Sequence, residues 1–126
     1  MNEGRRRILL VDDESDNVRI FTIALSDAGF DVDAFEDPKL ALSAFKPNYY
    51  DLVILDVRMP HIQGDELYRQ LRRTDNKFKV CVLTAYGSEE YKTRFSRNTP
   101  ANGISYIGKP ISVYEFVAKV NEIIHS

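Results

Sequence analysis

Short apolar runs alternate with helix-like patterns along the whole chain, and this alternation restricts the fold more than any other feature. Apolar runs that suit buried strands lie at residues 7–12, 51–56, 80–84 and 104–108. Residues 31–35 alternate polar and apolar side chains, which is typical of a half-exposed edge strand. Strands that alternate with helices through short connections predict a parallel sheet covered by helices on both faces.

Capping signals and apolar residues at helical spacing predict a helix after each strand. Ser15, Asp16 and Asn17 offer N-cap oxygens to the first helix, and Gly29 suits its C-terminal end. Asp37 is an N-cap for the second helix, with Pro38 at its first position. The fourth helix has a thin apolar stripe, whereas the last begins with a capping box from Ser112 to Glu115. The first helix is predicted to follow its N-cap residues and extend to Ala28, and the next three to cover residues 38–45, 64–73 and 88–97. The last follows Ser112, with an apolar stripe of Val113, Phe116, Val117, Val120 and Ile124.

The fold expected from these elements is α/β: a flavodoxin-like, doubly wound parallel sheet of five strands in the order 2-1-3-4-5, with five helices. Residues 1–126 are expected to form a single domain, because no repeat, linker or low-complexity segment divides them. Ligands of such sheets bind beyond the carboxyl ends of the strands, where the strand order reverses. In this order the reversal lies between the first and third strands.

Charge and composition exclude several classes of function. The formal net charge of −2 provides no basic field for nucleic acid, and the run Arg5–Arg7 is expected to be a solvated tail. The chain contains one cysteine, Cys81, which excludes an internal disulfide and favours a reducing compartment. No apolar stretch approaches the roughly 20 residues that span a bilayer. We therefore expect a cytoplasmic protein without membrane insertion or direct nucleic-acid contact.

Polar residues collect where the predicted strands end. Asp12 and Asp13 follow the first strand, Asp56 ends the third, Thr84 ends the fourth, and Lys109 follows the fifth. In the predicted strand order the three aspartates meet at the switch point. Taken singly, these residues have ordinary interpretations: an Asp-Asp pair often caps a helix, and a threonine or a Lys-Pro pair is common in loops. Their convergence on one edge of the sheet favours a functional site.

Three carboxylates in so small a space cannot all stay ionised unaided, so either one takes up a proton or a cation is held among them. Carboxylate oxygens suit Mg²⁺, which keeps several waters and usually completes its coordination with phosphate. A carboxylate can itself attack phosphorus to give an aspartyl phosphate. A lysine and a hydroxyl nearby would then bind the phosphoryl oxygens, because such transfers depend on positioning and charge neutralisation.

Four sequence blocks resemble the motifs of one family, the receiver domains of two-component response regulators. The blocks are "LLVDDE", "DLVILDVRMPHIQGDEL", "VLTAY" and "YIGKP". They occur in the family's order and extend over essentially the whole chain. The resemblance implies a phosphoacceptor protein of a two-component system or phosphorelay. Such a protein promotes its own phosphorylation and dephosphorylation but is not a turnover enzyme.

The resemblance also implies which residues would hold the phosphoryl group and the metal. Asp56 would be the phosphoacceptor. Mg²⁺ would be held by Asp12, Asp13, Asp56 and the backbone carbonyl of Arg58. One member of the acidic pair reaches the metal mainly through water in similar proteins, and here that residue would be Asp12.

Further roles implied by the resemblance concern phosphoryl binding and switching. Thr84, the backbone of Ala85 and Lys109 would bind the phosphoryl oxygens, and a cis Lys109–Pro110 peptide bond would fix the loop that carries the lysine. Tyr106 would turn inward when Thr84 moves toward the phosphoryl group; a partly exposed strand tyrosine is the alternative interpretation. The movement would remodel the surface of the fourth helix, the fifth strand and the last helix.

Two departures from the family pattern concern the mouth of the site and the segment before the fifth strand. Arg58 and Tyr86, two residues after Asp56 and Thr84, carry bulky side chains that would screen an acyl phosphate from water. We therefore expect slow dephosphorylation, which Arg58→Ala and Tyr86→Ala would accelerate. The stretch "SRNTPANGIS" predicts an extended loop before the fifth strand and a short fourth helix.

The implied partners are a sensor histidine kinase or phosphotransfer protein and an unidentified downstream protein, with a phosphorylation-dependent homodimer as a further outcome. The leading interpretation is a stand-alone receiver domain, and three other interpretations compete with it. They are the receiver fragment of a longer regulator with an output domain, a receiver-like scaffold that signals without phosphorylation, and an aspartyl-phosphate hydrolase of the haloacid-dehalogenase type. A scaffold of this kind would be free to lose Asp13, Asp56, Thr84 and Lys109, and their presence argues against it. A hydrolase of this type carries a second aspartate two residues after the nucleophile, and this chain has Arg58 there, which argues against a hydrolase.

Overall fold

A computed structural model describes residues 4–57, 59, 61–85, 89–90, 93, 97 and 104–126 of the chain. The described strands form one parallel sheet in the order β2-β1-β3-β4-β5. This is the flavodoxin-like order predicted from the sequence, which is therefore confirmed. The strands are β1 (Arg7–Val11), β2 (Asp31–Phe35), β3 (Leu52–Asp56), β4 (Lys79–Ala85) and β5 (Ile104–Lys109).

The described residues form four helices with both ends defined, where the sequence predicts five. The predicted helix over residues 88–97 lies largely outside the described residues, although Glu89, Glu90, Thr93 and Arg97 are described and helical. The predicted loop before β5 lies almost entirely outside them. No helix in the described part of the chain has the length and apolar character needed to cross a membrane. The four helices are α1 (Ser15–Asp27), α2 (Pro38–Ala44), α3 (Gly64–Arg72) and α4 (Val113–Ile124).

Both faces of the sheet are covered, because successive side chains of a strand point to opposite faces. In β1, Leu9 and Val11 pack on the side of α2 and α3, whereas Ile8 and Leu10 pack on the side of α1 and α4. Cys81 is fully buried on this second side, where burial raises the pKa of its thiol to about 12. β2 is half-buried along its length and forms one edge of the sheet, as its alternating pattern predicts.

The start of α1 differs from the prediction. Glu14 is the N-cap residue, rather than Ser15, Asp16 or Asn17, and its side chain makes no capping hydrogen bond. The reason is the preceding turn, in which Oδ1 of Asp12 accepts the backbone N–H of Glu14 at 3.0 Å. This bond turns the chain into the helix one residue earlier than the local capping residues suggest.

Three other predicted helix signals are confirmed. Gly29 follows α1 with φ of 99°, a left-handed conformation that favours glycine. At the start of α2, Oδ1 of Asp37 accepts the backbone N–H of Lys39 at 2.9 Å. At the start of α4, Oγ of Ser112 accepts the backbone N–H of Glu115 at 3.1 Å. These caps satisfy donors that helices otherwise leave unpaired, and so fix where the helices begin.

The sheet topology creates a crevice at the carboxyl ends of β1 and β3. These strands are neighbours, but the chain leaves β1 toward β2 on one side and β3 toward β4 on the other. The connections that follow the two strands therefore diverge above the sheet. Side chains at the ends of β1 and β3 meet in the space between these connections.

Candidate functional site

Four carboxylates gather at the crevice between β1 and β3. Asp12, Asp13 and Glu14 follow β1 directly, and Asp56 is the last residue of β3. One carboxylate oxygen from each of the four lies within 4.8 Å of the others. The three aspartates predicted to meet at the switch point thus lie together there. Glu14 is a fourth acid, which was not predicted.

Burial divides the four carboxylates into two pairs. Asp12 is fully buried and Asp56 is 5% exposed, whereas Asp13 and Glu14 are exposed. Because a buried carboxylate is costly without hydrogen bonds, its partners matter. Asp12 accepts the backbone N–H of Glu14 at 3.0 Å and, more weakly, Nδ2 of Asn17 at 3.4 Å. Both donors follow Asp12 closely in the chain, so the local backbone and the start of α1 hold its carboxylate in one orientation.

The ammonium group of Lys109 lies among three of the carboxylates. Lys109 is the last residue of β5, and its side chain is 8% exposed. Its Nζ lies 2.9 Å from Oδ2 of Asp56, 3.0 Å from Oε1 of Glu14 and 3.4 Å from Oδ2 of Asp12. β5 is separated from β3 by β4, so the lysine reaches across the end of β4 to make these contacts. The buried acids thereby acquire a counter-charge.

The charges in the cluster shift the pKa values of two of its groups. Burial lowers the pKa of Lys109. The hydrogen bond and the charge of Asp56, the charge of Asp12 and the hydrogen bond of Glu14 together outweigh burial, so the pKa of Lys109 lies above its ordinary value. Lys109 therefore remains a cation at neutral pH. Burial, followed by the negative charge of Asp12, raises the pKa of Asp13 above its ordinary value of 3.8. The folded protein thus disfavours the ionised form of Asp13.

Thr84 and Ala85 end β4 beside the acidic cluster. Thr84 lies one residue beyond the β4 position that pairs with Asp56, and Ala85 pairs with Lys109 in the sheet register. Both therefore lie at the edge of the sheet that carries the carboxylates. The peptide bond between Lys109 and Pro110 is cis, as the resemblance implied. The structure thus puts Thr84, Ala85 and Lys109 at the edge of the sheet that carries Asp56, and their phosphoryl-binding role stays a prediction.

Tyr106 lies further from the carboxyl edge, in the middle of β5. It pairs with Val82 in the register and packs, partly buried, against the apolar cluster on the side of α2 and α3. It also lines a groove of about 300 Å³ between β5 and the end of α4. Its predicted switch role stays a prediction. Arg58 and Tyr86 lie outside the described residues, so their predicted roles also stay predictions.

Three residues of the site were not predicted from the sequence. Glu14 had a visible signal, since it is a third acid directly after the aspartate pair. Asn17 was assigned to helix capping, which its residue type suggests equally well. Gly64 begins α3, and a Cβ atom at this position would lie 2.6 Å from the backbone oxygen of Asp56. No local pattern reveals such a contact, because it joins two elements in space.

The donor set fits a hard divalent cation. Carboxylate oxygens are the ligands that Mg²⁺ prefers, and this ion usually keeps several of its waters. The mixture of buried and exposed carboxylates suits such a partly hydrated ion. The Lys109 ammonium already lies among three of these groups, so positive charge is stabilised at this place.

The sequence matches the family model described as the response regulator receiver domain over residues 8–121. The regulatory protein VanRc of Enterococcus gallinarum is 34% identical over 90% of this chain and 48% of its own length. The transcriptional regulatory protein PrrA of Mycobacterium tuberculosis is 33% identical over 94% of this chain and 49% of its own length. The chain therefore spans about half the length of these curated relatives.

Two solved receiver-domain structures match the fold over nearly their whole length. A CheY-like response regulator receiver domain protein from Methanospirillum hungatei JF-1 superposes with a TM-score of 0.83 and 25% identity, covering 97% of this chain and 95% of that one. The receiver domain of the Francisella response regulator 1452 gives a TM-score of 0.76 and 28% identity, covering 96% of this chain and 98% of that one.

Proposed function

Because this chain belongs to the response regulator receiver domain family, we propose that Asp56 accepts a phosphoryl group from a sensor histidine kinase or phosphotransfer protein. The observation that carries this proposal is the position of its carboxylate. It is 5% exposed, lies in a cluster of four acids, and receives a hydrogen bond of 2.9 Å from Lys109. In this proposal residues 1–126 act as one receiver domain, and the protein works in the cytoplasm.

The carboxylates of Asp12, Asp13 and Asp56 would hold Mg²⁺, with the backbone carbonyl of Arg58 as the further protein ligand. Bound there, the ion would neutralise charge on the acids and on an incoming phosphoryl group. Asp12 is fixed by its own hydrogen bonds and buried, so it offers an oriented negative charge. The exposed Asp13 can reorient more freely.

In the proposed transfer, a carboxylate oxygen of Asp56 forms a bond to phosphorus while the bond from phosphorus to the donor's imidazole nitrogen breaks. The electron pair of the broken bond stays on the imidazole, which takes up a proton. Lys109 would pair with one phosphoryl oxygen, and Thr84 and the Ala85 backbone N–H would bind others. The product is a phosphorylated protein, so Asp56 acts as a stoichiometric acceptor and not as part of a turnover enzyme.

The phosphorylated state would be read out through the surface around β5 and α4. In our proposal Thr84 moves toward the phosphoryl group and Tyr106 turns inward behind it. Tyr106 packs against the sheet core while lining a groove at the surface, so its movement would change both. The added charge of about −1.5 to −2 is the local event that biases this change. A downstream protein or a second phosphorylated copy would bind the altered surface.

A groove of about 540 Å³ beside the site supports the proposed docking of a phosphodonor protein. It runs between α1 and the segment after β5, and Lys109 lies in its wall. Ile20 of α1, which is 44% exposed, and Ile111 contribute apolar surface to it. A donor bound there would place its phosphorylated side chain next to Asp56. The choice of donor would depend on the exposed surface of α1.

A second candidate is the receiver part of a longer regulator. This alternative is favoured by coverage, since the chain spans 48% and 49% of two relatives that are named as regulatory and transcriptional regulatory proteins. In that case the surface around β5 and α4 would act on an attached output domain. Nucleic acid would then be contacted by that domain and not by this one. The chemistry proposed for Asp56 is the same in both cases.

The proposal is tested by incubating the protein with acetyl phosphate, with and without Mg²⁺, and measuring intact mass. We expect a gain of about 80 Da that requires Mg²⁺ and is absent in Asp56→Asn. Asp16→Asn is the matched control, because Asp16 is an exposed acid of α1 that pairs with Arg19. Uptake that persists in Asp56→Asn would contradict the assignment of this residue. Absence of uptake in the wild-type protein would favour a scaffold that works without phosphorylation.

A further inference from the structure

Glu14 differs from the other two acids that contact Lys109. All three lie within 3.4 Å of Nζ, yet the side chain of Glu14 is 61% exposed while those of Asp12 and Asp56 are 0% and 7% exposed. Glu14 approaches the ammonium from the solvent side. It thereby completes the set of acceptors around a lysine that is otherwise almost buried.

The ammonium group has three N–H donors, and three carboxylates surround it in the unphosphorylated protein. During the transfer, while Asp56 is still a carboxylate, a phosphoryl oxygen that pairs with Lys109 competes with these three contacts. Asp12 is buried and held by the Glu14 backbone N–H and by Asn17. Asp56 is the residue that would carry the phosphoryl group. Glu14 can turn into water at little desolvation cost, so its contact is the one most easily exchanged.

We propose that Glu14 is a positioning residue for Lys109. In the unphosphorylated protein the Glu14 carboxylate holds the Lys109 ammonium, and a phosphoryl oxygen then replaces this contact. This inference rests on the proposed phosphorylation of Asp56 and adds a residue that regulates it. Glu14 competes with the phosphoryl group for the same donor. Weakening its contact with Lys109 therefore favours phosphoryl uptake.

Two substitutions separate the contact from the charge. Glu14→Gln removes the negative charge but keeps an oxygen at the same reach, whereas Glu14→Asp keeps the charge and shortens the side chain by one methylene. Asp16→Asn removes an exposed charge from the same helix without touching Lys109. Since Glu14 also belongs to the carboxylate cluster, the Mg²⁺ affinity of each variant is first measured by calorimetry. Rates are then compared at saturating Mg²⁺.

Uptake from acetyl phosphate is expected to be about two- to fivefold faster in both Glu14 variants, the range that an exposed ion pair of this kind supports. Asp16→Asn is expected to match the wild-type rate. Wild-type rates in both Glu14 variants would overturn the proposal. Acceleration in Glu14→Gln alone would also overturn it, because it would assign the effect to net charge and not to the contact.

A spectroscopic measurement on the unphosphorylated, Mg²⁺-free protein tests the contact by itself. The shielded Lys109 ammonium is expected to give a nuclear magnetic resonance signal that weakens or shifts in Glu14→Asp and Glu14→Gln, and persists in Asp16→Asn. An unchanged signal in both Glu14 variants would overturn the proposal. If the wild-type protein took up no phosphoryl group, the proposed function would fail, while this signal would still decide whether Glu14 holds the lysine.

Discussion

Neighbouring aspartates in the sequence occupy opposite environments in the folded protein. Asp12 is fully buried and accepts hydrogen bonds from Glu14, Asn17 and Lys109. Asp13 is exposed, and both its partial desolvation and the charge of Asp12 raise its pKa. The negative charge of Asp13 is therefore unfavourable in the folded protein. It lies in the carboxylate cluster, where a bound cation would stabilise it.

Asp13→Asn is expected to increase the free energy of unfolding of the Mg²⁺-free protein by about 0.5 kcal/mol near pH 7, or the melting temperature by about 2 °C. Because folding raises the pKa of Asp13 above 3.8, the wild-type protein loses stability as pH rises from this value through the folded pKa. The difference in free energy of unfolding between the variant and the wild-type protein should therefore be absent at acidic pH and increase as pH rises.

Urea unfolding of both proteins across this pH range measures the difference. Asp16→Asn serves as the control, because its exposed carboxylate pairs with Arg19 and lies outside the cluster. A lower stability of Asp13→Asn than of the wild-type protein at neutral pH would contradict the expected repulsion.

At the scale of the elements, α3 is packed directly against the backbone that carries Asp56. The backbone N–H of Gly64, at the start of the helix, donates to the oxygen of Val57 at 3.3 Å. A Cβ atom on Gly64 would lie 2.6 Å from the oxygen of Asp56 and 3.1 Å from Cα of Val57. Backbone atoms cannot move aside as a flexible side chain can. The position of α3 and the position of Asp56 are thus coupled through this glycine.

Gly64→Ala is expected to lower the free energy of unfolding by about 1–3 kcal/mol, the usual cost of inserting an atom into a well-packed place. It should also slow phosphoryl uptake at saturating Mg²⁺, because the backbone at Asp56 must shift. Gly108→Ala is the matched control, since a Cβ atom there would meet nothing within 4 Å. Denaturant unfolding and the acetyl phosphate assay measure the two effects. Equal behaviour of the two variants would refute the proposed coupling.

Across the whole molecule, the candidate site joins elements that are remote in the chain. Lys109 and Asp12 are 97 residues apart in sequence, yet Nζ and Oδ2 lie 3.4 Å from each other. The residues around this contact come from the ends of β1, β3 and β5. Unfolding separates them, so an ion that binds the assembled cluster stabilises the folded state as a whole.

Mg²⁺ is therefore expected to raise the free energy of unfolding by about 2.7 kcal/mol at a concentration of 100 times its dissociation constant. The dissociation constant comes from calorimetry, and the stability from urea unfolding with Mg²⁺ and with a chelator. Asp56→Asn, which lacks one of the proposed ligands, should gain less. No gain for the wild-type protein at a saturating concentration would contradict binding of the ion to the folded cluster.

Local patterns predicted most of the fold because they depend on neighbouring residues. The strand at residues 31–35 alternates polar and apolar side chains, and β2 occupies those residues at the edge of the sheet. The start of α1 was predicted incorrectly, since the bond from Glu14 to the side chain of Asp12 outweighs the capping preference of Ser15. The predicted helix over 88–97 lies largely outside the described residues.

The sequence by itself determined the alternation of strands and helices, and with it the edge of the sheet at which Asp12, Asp13, Asp56, Thr84 and Lys109 lie. Hydrophobic period and capping chemistry act over a few residues, so they can be read in order along the chain. Only the tertiary structure decided that Asp12 is buried while Asp13 is exposed, and that Glu14 shares Lys109 with Asp56. These choices depend on distances between separate strand ends, which sheet geometry sets and local sequence does not.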